Sequence, residues 1–178
     1  MGEWLTKVTV WLALLGYAAG AACLLLARRN ASWSRPARVA WTFGCAWFLA
    51  HVLCAFAFHY GWSHATAFQE TARQTREVTG ANVGGGVFVS YAFTLAWAAD
   101  AVWWWLDEAG HRRRPRLLTY AWHGFFFFIV FNGTVVFEHG PARWLGALIC
   151  GGLGLLWLFT APRSRRARPE FEGARGNL

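Results

Sequence analysis

Charged residues are scarce in this sequence of 178 residues. They make up 15% of the chain, and 56% of the residues are hydrophobic. A soluble domain carries about 25% charged residues, so both proportions are displaced toward apolar composition. Acidic residues are scarcer than basic ones, with 9 Asp and Glu against 17 Lys and Arg. The mean hydropathy is +0.28. These shortages argue against a disordered chain, a collagen-like repeat and a soluble enzyme.

Cysteine is also sparse, and no two cysteines are spaced as a pair. A C-x-x-C motif is absent, which argues against a disulfide framework, a zinc knuckle and covalent attachment of a c-type haem. Phosphate-binding P-loops and Gly-x-Ser-x-Gly nucleophile motifs are missing as well. We interpret the cysteines as buried apolar side chains; they are Cys23, Cys45, Cys54 and Cys150.

Long apolar runs are what the sequence does contain. Each is close to the roughly 20 residues that a helix needs to cross about 30 Å of hydrocarbon. The pattern predicts an all-α integral membrane protein with five transmembrane helices in a single domain over residues 1–162. The first run is preceded by one Lys and lacks a cleavage site, so we expect a retained span. The runs cover residues 8–27, 39–60, 84–106, 117–137 and 144–161.

Basic residues alternate between the connectors. The first loop carries four, the third loop four and residues 163–178 five, which places thirteen of 17 on one side. The positive-inside rule then predicts an N-terminus outside and a C-terminus in the cytoplasm, across a bacterial-type inner membrane. This distribution explains the arginines as topology signals, so a nucleic-acid partner is not expected. Residues 163–178 are predicted to be a basic, disordered cytoplasmic tail.

A polar connector separates the second and third apolar runs. Residues 63–79 contain no Gly or Pro, and Gly80 follows as a helix stop. Glu70, Arg73 and Glu77 are spaced so that ion pairs can form along one helix face. The connector therefore predicts a short extracytoplasmic helix, either continuous with the second span or broken at Gly61.

Histidine and carboxylate side chains gather at the outer edge of the predicted bundle. The second and fourth spans both end at that edge, which brings their last residues to one level. Imidazole and carboxylate together suit copper, iron or zinc, so a metal site is one prediction. The alternative is a set of solvated side chains, with Glu138 paired to Arg143. The predicted ligands are His59, His64, Glu70, Glu138 and His139.

Asp100 and His123 lie at matching depths nearer the cytoplasm. Each is six residues from the inner end of its span, or roughly 9 Å along the helix. Ionisable groups inside a bilayer need a partner, so the two side chains are predicted to be either a proton relay or a structural pair. His51, near the middle of the second span, and His123 are also candidate axial ligands of a b-type haem.

These patterns leave three functions open. The first is a metal- or haem-binding redox component, alone or as a small subunit of a membrane redox complex. The second is a cofactor-free accessory subunit that packs on a larger membrane complex. The third is a small proton-coupled transporter that uses Asp100 and His123. Expected partners are the lipid bilayer and either other membrane subunits or a second copy of the chain, with Gly16-x-x-x-Gly20 as a packing motif.

Overall fold

The computed structural model describes residues 1–161. Within that range the regular elements are helical, with no strand. The basic segment 163–178, predicted to be disordered, lies outside the described residues. The α-helices are α1 (Gly2–Ala27), α2 (Ser34–Phe58), α3 (His64–Thr79), α4 (Gly86–Leu106), α5 (Glu108–Arg113), α6 (Arg116–Phe131) and α7 (Pro141–Thr160), and a 3-10 turn (Ala31–Trp33) and a π-helical segment (Asn132–Val136) complete them.

Five helices in the described range are long and apolar enough to cross a membrane. They are α1, α2, α4, α6 together with the π-helical segment, and α7, which confirms the prediction of a multi-pass helical protein. The largest differences from the predicted bounds are at the helix starts. The first helix begins at Gly2 and the second at Ser34, several residues before their apolar runs. Hydropathy marks the apolar part of a helix, whereas backbone hydrogen bonds continue through the polar residues beside it.

The chain breaks between α2 and α3. Gly61 and Trp62 both have positive φ angles, of 53° and 59°, which an α-helix does not accommodate. The Ser63 hydroxyl then accepts a hydrogen bond from the Thr66 N–H at 3.2 Å and caps the start of α3. Of the two alternatives that the sequence left open, the structure has the separate helix. We call the end of the bundle beside this helix the α3 end, and the opposite end, beside α5, the α5 end.

Glycines let α1 and α2 approach until their backbones touch. A Cβ atom on Gly16 would lie 2.5 Å from the Gly44 Cα, and one on Gly20 would lie 3.0 Å from the Trp41 nitrogen. Close backbone approach of this kind is how small residues hold helices together in lipid. The Gly16-x-x-x-Gly20 motif is therefore used inside the chain. By contrast, a Cβ atom on Gly151 of α7 would meet nothing within 4 Å.

An aromatic layer fills the middle of the bundle. It consists of Tyr17, Trp41, Trp97 and Phe126, all buried. Ring centroids are 5.1 Å apart for Trp41 and Phe126 and 5.5 Å apart for Trp41 and Trp97, which are normal distances for packed aromatic side chains. The indole N–H groups of Trp41 and Trp97 are buried without an acceptor in the described part of the chain. The layer separates the two ends of the bundle, each of which contains a cavity.

Candidate functional site

A buried ionic cluster lies near the α5 end. Asp100 of α4 is 2% exposed, and its Oδ1 accepts hydrogen bonds from His111 Nε2 at 3.1 Å and from Arg114 Nη1 at 2.6 Å. A buried carboxylate is tolerated when it is paired and hydrogen-bonded in this way. We call Asp100, His111, Arg114 and His123 the Asp100 cluster; its members come from α4, α5, the connection after α5, and α6.

The short helix α5 brings His111, and Arg114 directly after it, back toward the bundle. Asp107 caps it by accepting a hydrogen bond from the Gly110 N–H at 2.8 Å. The His111 ring then stacks on Trp104, with centroids 4.6 Å apart and an interplanar angle of 9°. Pro115 follows Arg114 and keeps it in an extended conformation, outside both helices. Capping and stacking thus fix His111 and Arg114 against Asp100.

Arg114 also binds His123. Its Nη2 lies 3.1 Å from His123 Nε2. Because a guanidinium only donates hydrogen bonds, Nε2 is the acceptor and the neutral His123 ring carries its proton on Nδ1. One arginine side chain therefore holds the Asp100 carboxylate and the His123 imidazole at the same time.

The predicted Asp100 and His123 pair lies in this cluster with Arg114 between them. Sequence reasoning missed the other two members: Arg114 was counted among the basic residues of the third loop, and His111 was not singled out. The signal that was available is the charge of Asp100, since a carboxylate in a span needs a cation and the next basic residues in the chain follow directly after that span.

A cavity of about 620 Å³ adjoins the Asp100 cluster. One part of its lining is basic, and the rest is apolar and comes mainly from α1, α6 and α7. The aromatic layer closes it toward the middle of the bundle, where Tyr17 is part of the lining. The basic residues around it are Arg28, His111, Arg112, Arg114 and His123.

A second cavity, of about 640 Å³, lies at the α3 end. Tyr17 and Trp97 of the aromatic layer line it, and so does the π-helical segment. In that segment the Phe137 N–H donates to the Asn132 carbonyl oxygen at 2.9 Å, five residues back. Such segments are rare and occur often at functional sites. The polar residues around the cavity are mostly uncharged hydroxyl and amide side chains.

His51 lines the α3-end cavity. Its Nδ1 donates a hydrogen bond to the Thr6 carbonyl oxygen at 3.0 Å, because a carbonyl only accepts. In the neutral ring Nε2 is then unprotonated. His123 lines the other cavity, so the two predicted haem ligands do not share one. Haem binding by either histidine stays a prediction.

The five predicted metal ligands near the α3 end are placed separately. His59, His64, Glu138 and His139 are exposed. His64 Nδ1 lies 2.9 Å from the Tyr91 hydroxyl. Among residues 1–161, the Glu138 carboxylate accepts only from the N–H of its neighbour His139, at 3.4 Å. In residues 1–161 no group of three or more His, Cys, Asp or Glu side chains could hold a metal ion. A metal at this end therefore stays a prediction without a ligand cluster to support it.

Glu70, the fifth predicted ligand, is bound to an arginine. Arg73 donates to both of its carboxylate oxygens, with Nη2 at 2.6 Å and Nε at 2.9 Å, and also pairs with Glu77. The hydrogen bonds from Arg73 hold the pKa of Glu70 below its usual range. Burial raises the pKa of the Tyr60 hydroxyl nearby, and the Glu70 charge adds to that rise, so Tyr60 is neutral at physiological pH.

Comparison of the chain with models of protein families, with curated proteins and with solved structures finds no match in any of the three.

Proposed function

We propose that this protein is a small proton-coupled transporter of a bacterial-type inner membrane. The observation that carries the proposal is the sharing of Arg114 between Asp100 and His123. We further propose that the α5 end faces the cytoplasm and the α3 end faces outside. The reason is that the arginine-rich connectors lie at the α5 end.

A proton on His123 competes with the hydrogen bond from Arg114. Nε2 has one lone pair, and that lone pair already accepts from Arg114 at 3.1 Å. When a proton binds there, two cationic groups face each other at hydrogen-bond distance, so the guanidinium moves away. Its contact with Asp100 changes in the same step, which couples protonation to the packing of α4 against α6.

The surroundings of His123 decide when it binds a proton. The groups that face His123 or share its cavity are Asp100 of α4, His111 and Arg112 of α5, Arg114 of the connection, Arg28 and Tyr17 of α1, and Tyr120 of α6.

Transport also requires a cavity on each side of a barrier. Tyr17 borders both cavities, and the aromatic layer stands between them. A transporter opens its two sides alternately, and small side-chain shifts in such a layer are sufficient to open one side. Within residues 1–161 the indole N–H groups of Trp41 and Trp97 have no acceptor, so they are two donors available to water or solute in transit.

Cysteine labelling in reconstituted vesicles tests the proposal without knowledge of the solute. The four native cysteines are replaced by alanine, and one cysteine is introduced at Ala21 or at Thr94, which line different cavities. Between about pH 8 and about pH 4, a window that reaches well below the ordinary imidazole pKa of about 6.5, labelling by a thiol reagent that stays active in acid, such as dithiodipyridine, is expected to change in opposite directions at the two positions.

His123→Gln should abolish this response, because glutamine accepts from Arg114 but binds no proton. His139→Gln, at an exposed histidine outside the cluster, is the matched control and should retain it. Equal labelling at both pH values in the chain with its native histidines would contradict the proposal.

A redox role remains an alternative proposal, and one observation favours it. An imidazole that donates its Nδ1 proton to a backbone carbonyl, as His51 does, has the orientation typical of a metal or haem ligand. An absorption spectrum and elemental analysis of protein purified without chelator test it. A Soret band or near-stoichiometric copper, iron or zinc would replace the transport proposal.

An accessory role on a larger complex is the remaining alternative. The faces of Gly151 and Gly152 on α7 are open within the described chain, and glycine faces pack well against other helices in lipid. This role requires a second protein that co-purifies stoichiometrically in mild detergent.

A further inference from the structure

We infer that the α3-end cavity is a binding site for a neutral, membrane-soluble phenol or hydroquinone. Its volume of about 640 Å³ lies within the range of about 300–1,000 Å³ that is usual for small-molecule sites. The inference goes beyond proton coupling, because it rests on the lining of this cavity and on no residue of the Asp100 cluster. Binding here would persist in a protein that moves no proton.

The hydroxyl groups around the cavity already donate their hydrogens elsewhere. Thr71, Thr94 and Thr134 each donate to the carbonyl oxygen four residues earlier in their own helix, at 2.8 Å. Thr75 and Ser90 do the same, at 2.8 and 3.3 Å. Each of these hydroxyl oxygens keeps lone pairs and has no hydrogen left to offer. The cavity therefore presents acceptors to a ligand.

The amide and imidazole groups add further acceptors. Asn132 Nδ2 donates to the Phe128 carbonyl oxygen at 2.7 Å, and Gln74 Nε2 donates to the Glu70 carboxylate at 3.1 Å. These bonds orient both amides, so their carbonyl oxygens are the groups left to accept. His51 Nε2 is unprotonated because Nδ1 carries the ring proton. Donors are fewer: they are the second hydrogen of each amide group and the hydroxyls of Tyr17, Tyr60 and Tyr91. Acceptors therefore outnumber donors around the cavity, which favours a ligand that is itself a donor.

The lining excludes ions and favours a ring. Arg, Lys, Asp and Glu are absent from the residues that line the cavity in the described chain, so a charged ligand would lose its hydration without a counter-charge. A transition metal would find one imidazole and no thiolate or carboxylate. The walls are aromatic, with Phe48 and Phe93 packed edge to face at 4.9 Å, which suits a flat apolar ring.

The cavity is open on the outer surface of the helices. Val83, Val89 and Phe128 line it and are also 54%, 40% and 58% exposed. In a bilayer the exposed faces of α4 and α6 meet lipid. A ligand therefore enters sideways from the membrane, which is why a membrane-soluble phenol fits this site better than a water-soluble sugar.

A matched pair of ligands tests the site. The protein is placed in phosphatidylcholine nanodiscs and titrated with para-trifluoromethylphenol, followed by fluorine NMR, with empty nanodiscs as the reference. The methyl ether of the same compound has the same ring and no donor. We expect saturable binding of the phenol, about tenfold tighter than binding of the ether, because a hydrogen bond to a buried acceptor is lost in the ether.

Two variants locate the binding. His51→Phe should bring the affinity for the phenol down to that for the ether and leave the ether unchanged. His51 also donates to the Thr6 carbonyl oxygen, so a second variant that leaves His51 in place is needed. Val89→Trp fills the mouth of the cavity, keeps every His51 contact and should abolish binding of both compounds. Val102→Trp adds the same side chain to an exposed position of the same helix outside the cavity, and binding should stay unchanged.

Any of four results would overturn the inference. Equal affinities for the phenol and its ether would reduce the site to apolar partitioning. Signals identical to those of empty nanodiscs, or binding that survives Val89→Trp, would remove the site. A Soret band that disappears in His51→Phe would assign His51 to a cofactor instead. None of these results alters the cysteine labelling that tests proton coupling, so the two proposals fail separately.

Discussion

Arg114 Nη1 lies 2.6 Å from Asp100 Oδ1, and both side chains are almost completely buried, with exposed fractions of 6% and 1%. Asp100 is inside a membrane-spanning helix, whereas Arg114 lies in the connection that follows α5. The chain thus folds a cation from a loop back onto a carboxylate in a span. The reason is energetic, because an unpaired charge at that depth costs several kcal/mol.

Neutralising both members of this pair is expected to cost clearly less than the two single losses added together. Asp100→Asn should lower the free energy of unfolding by about 3 kcal/mol or more, because the Arg114 charge is left buried without its partner. Arg114→Gln should have a similar effect. The double variant should lose clearly less than the sum of the two. Unfolding in mixed micelles of mild detergent and dodecyl sulfate measures all four proteins, and strict additivity would contradict the pairing.

A single methyl group should disrupt the contact between α1 and α2. Gly16→Ala places a Cβ atom 2.5 Å from the Gly44 Cα, and both backbones must move apart, at an expected cost of about 2 kcal/mol. Gly151→Ala is the matched control, because its Cβ would meet nothing within 4 Å. That variant should stay within about 1 kcal/mol of the parent. Similar melting temperatures for the two variants in detergent would argue against this packing.

Acid should loosen α3 through Glu70. Arg73 lowers the pKa of this carboxyl group, so its stabilising contribution is complete above the ordinary glutamate pKa of about 4.3 and is lost as the pH falls through the lower folded value. Between about pH 6 and about pH 3, amide exchange protection in α3 should drop by about two- to fivefold beyond the intrinsic effect. Glu70→Gln should remove that extra drop. An unchanged pH response in this variant would show that Glu70 is not responsible.

The proposed orientation can be tested by labelling from one side. In the chain without native cysteines, Gln69→Cys on α3 and Arg112→Cys on α5 are both at exposed positions. A membrane-impermeant maleimide added to intact bacterial cells should label Gln69→Cys, and it should label Arg112→Cys only after the membrane is permeabilised. The reverse pattern would place the α3 end in the cytoplasm.

The long helices of this protein can be predicted from its sequence because a lipid environment restricts the backbone to few structures. Apolar runs of sufficient length must be helical, since backbone groups have no other partners in hydrocarbon, and all five runs are helices in the structure. The start of α3 at His64, directly after the Ser63 cap, follows from local chemistry, whereas the break at Gly61 was one of two alternatives that the sequence left open. Helix α5 was missed because its six residues, mostly charged or small, have the composition of a basic loop.

The candidate site is harder to predict from the sequence, because hydropathy indicates how deep a residue lies in the membrane and does not indicate which way its side chain points. His59, His64, Glu138 and His139 were grouped by depth, but in the fold they are exposed and have separate contacts. Asp100 and His123 were matched by depth as well. The cation between them, Arg114, comes from a loop whose arginines had been interpreted as topology signals. The direction of a side chain depends on how helices rotate against each other, which a single sequence does not specify.

The π-helical turn at Asn132–Val136 shifts the face on which the end of the fourth span presents its side chains. A turn of this kind contains one residue more than an α-helical turn. Residues beyond it are therefore rotated by about 100° around the axis from where an uninterrupted α-helix would place them. A helical wheel drawn across this turn with a constant period of about 3.6 residues assigns those residues to the wrong face.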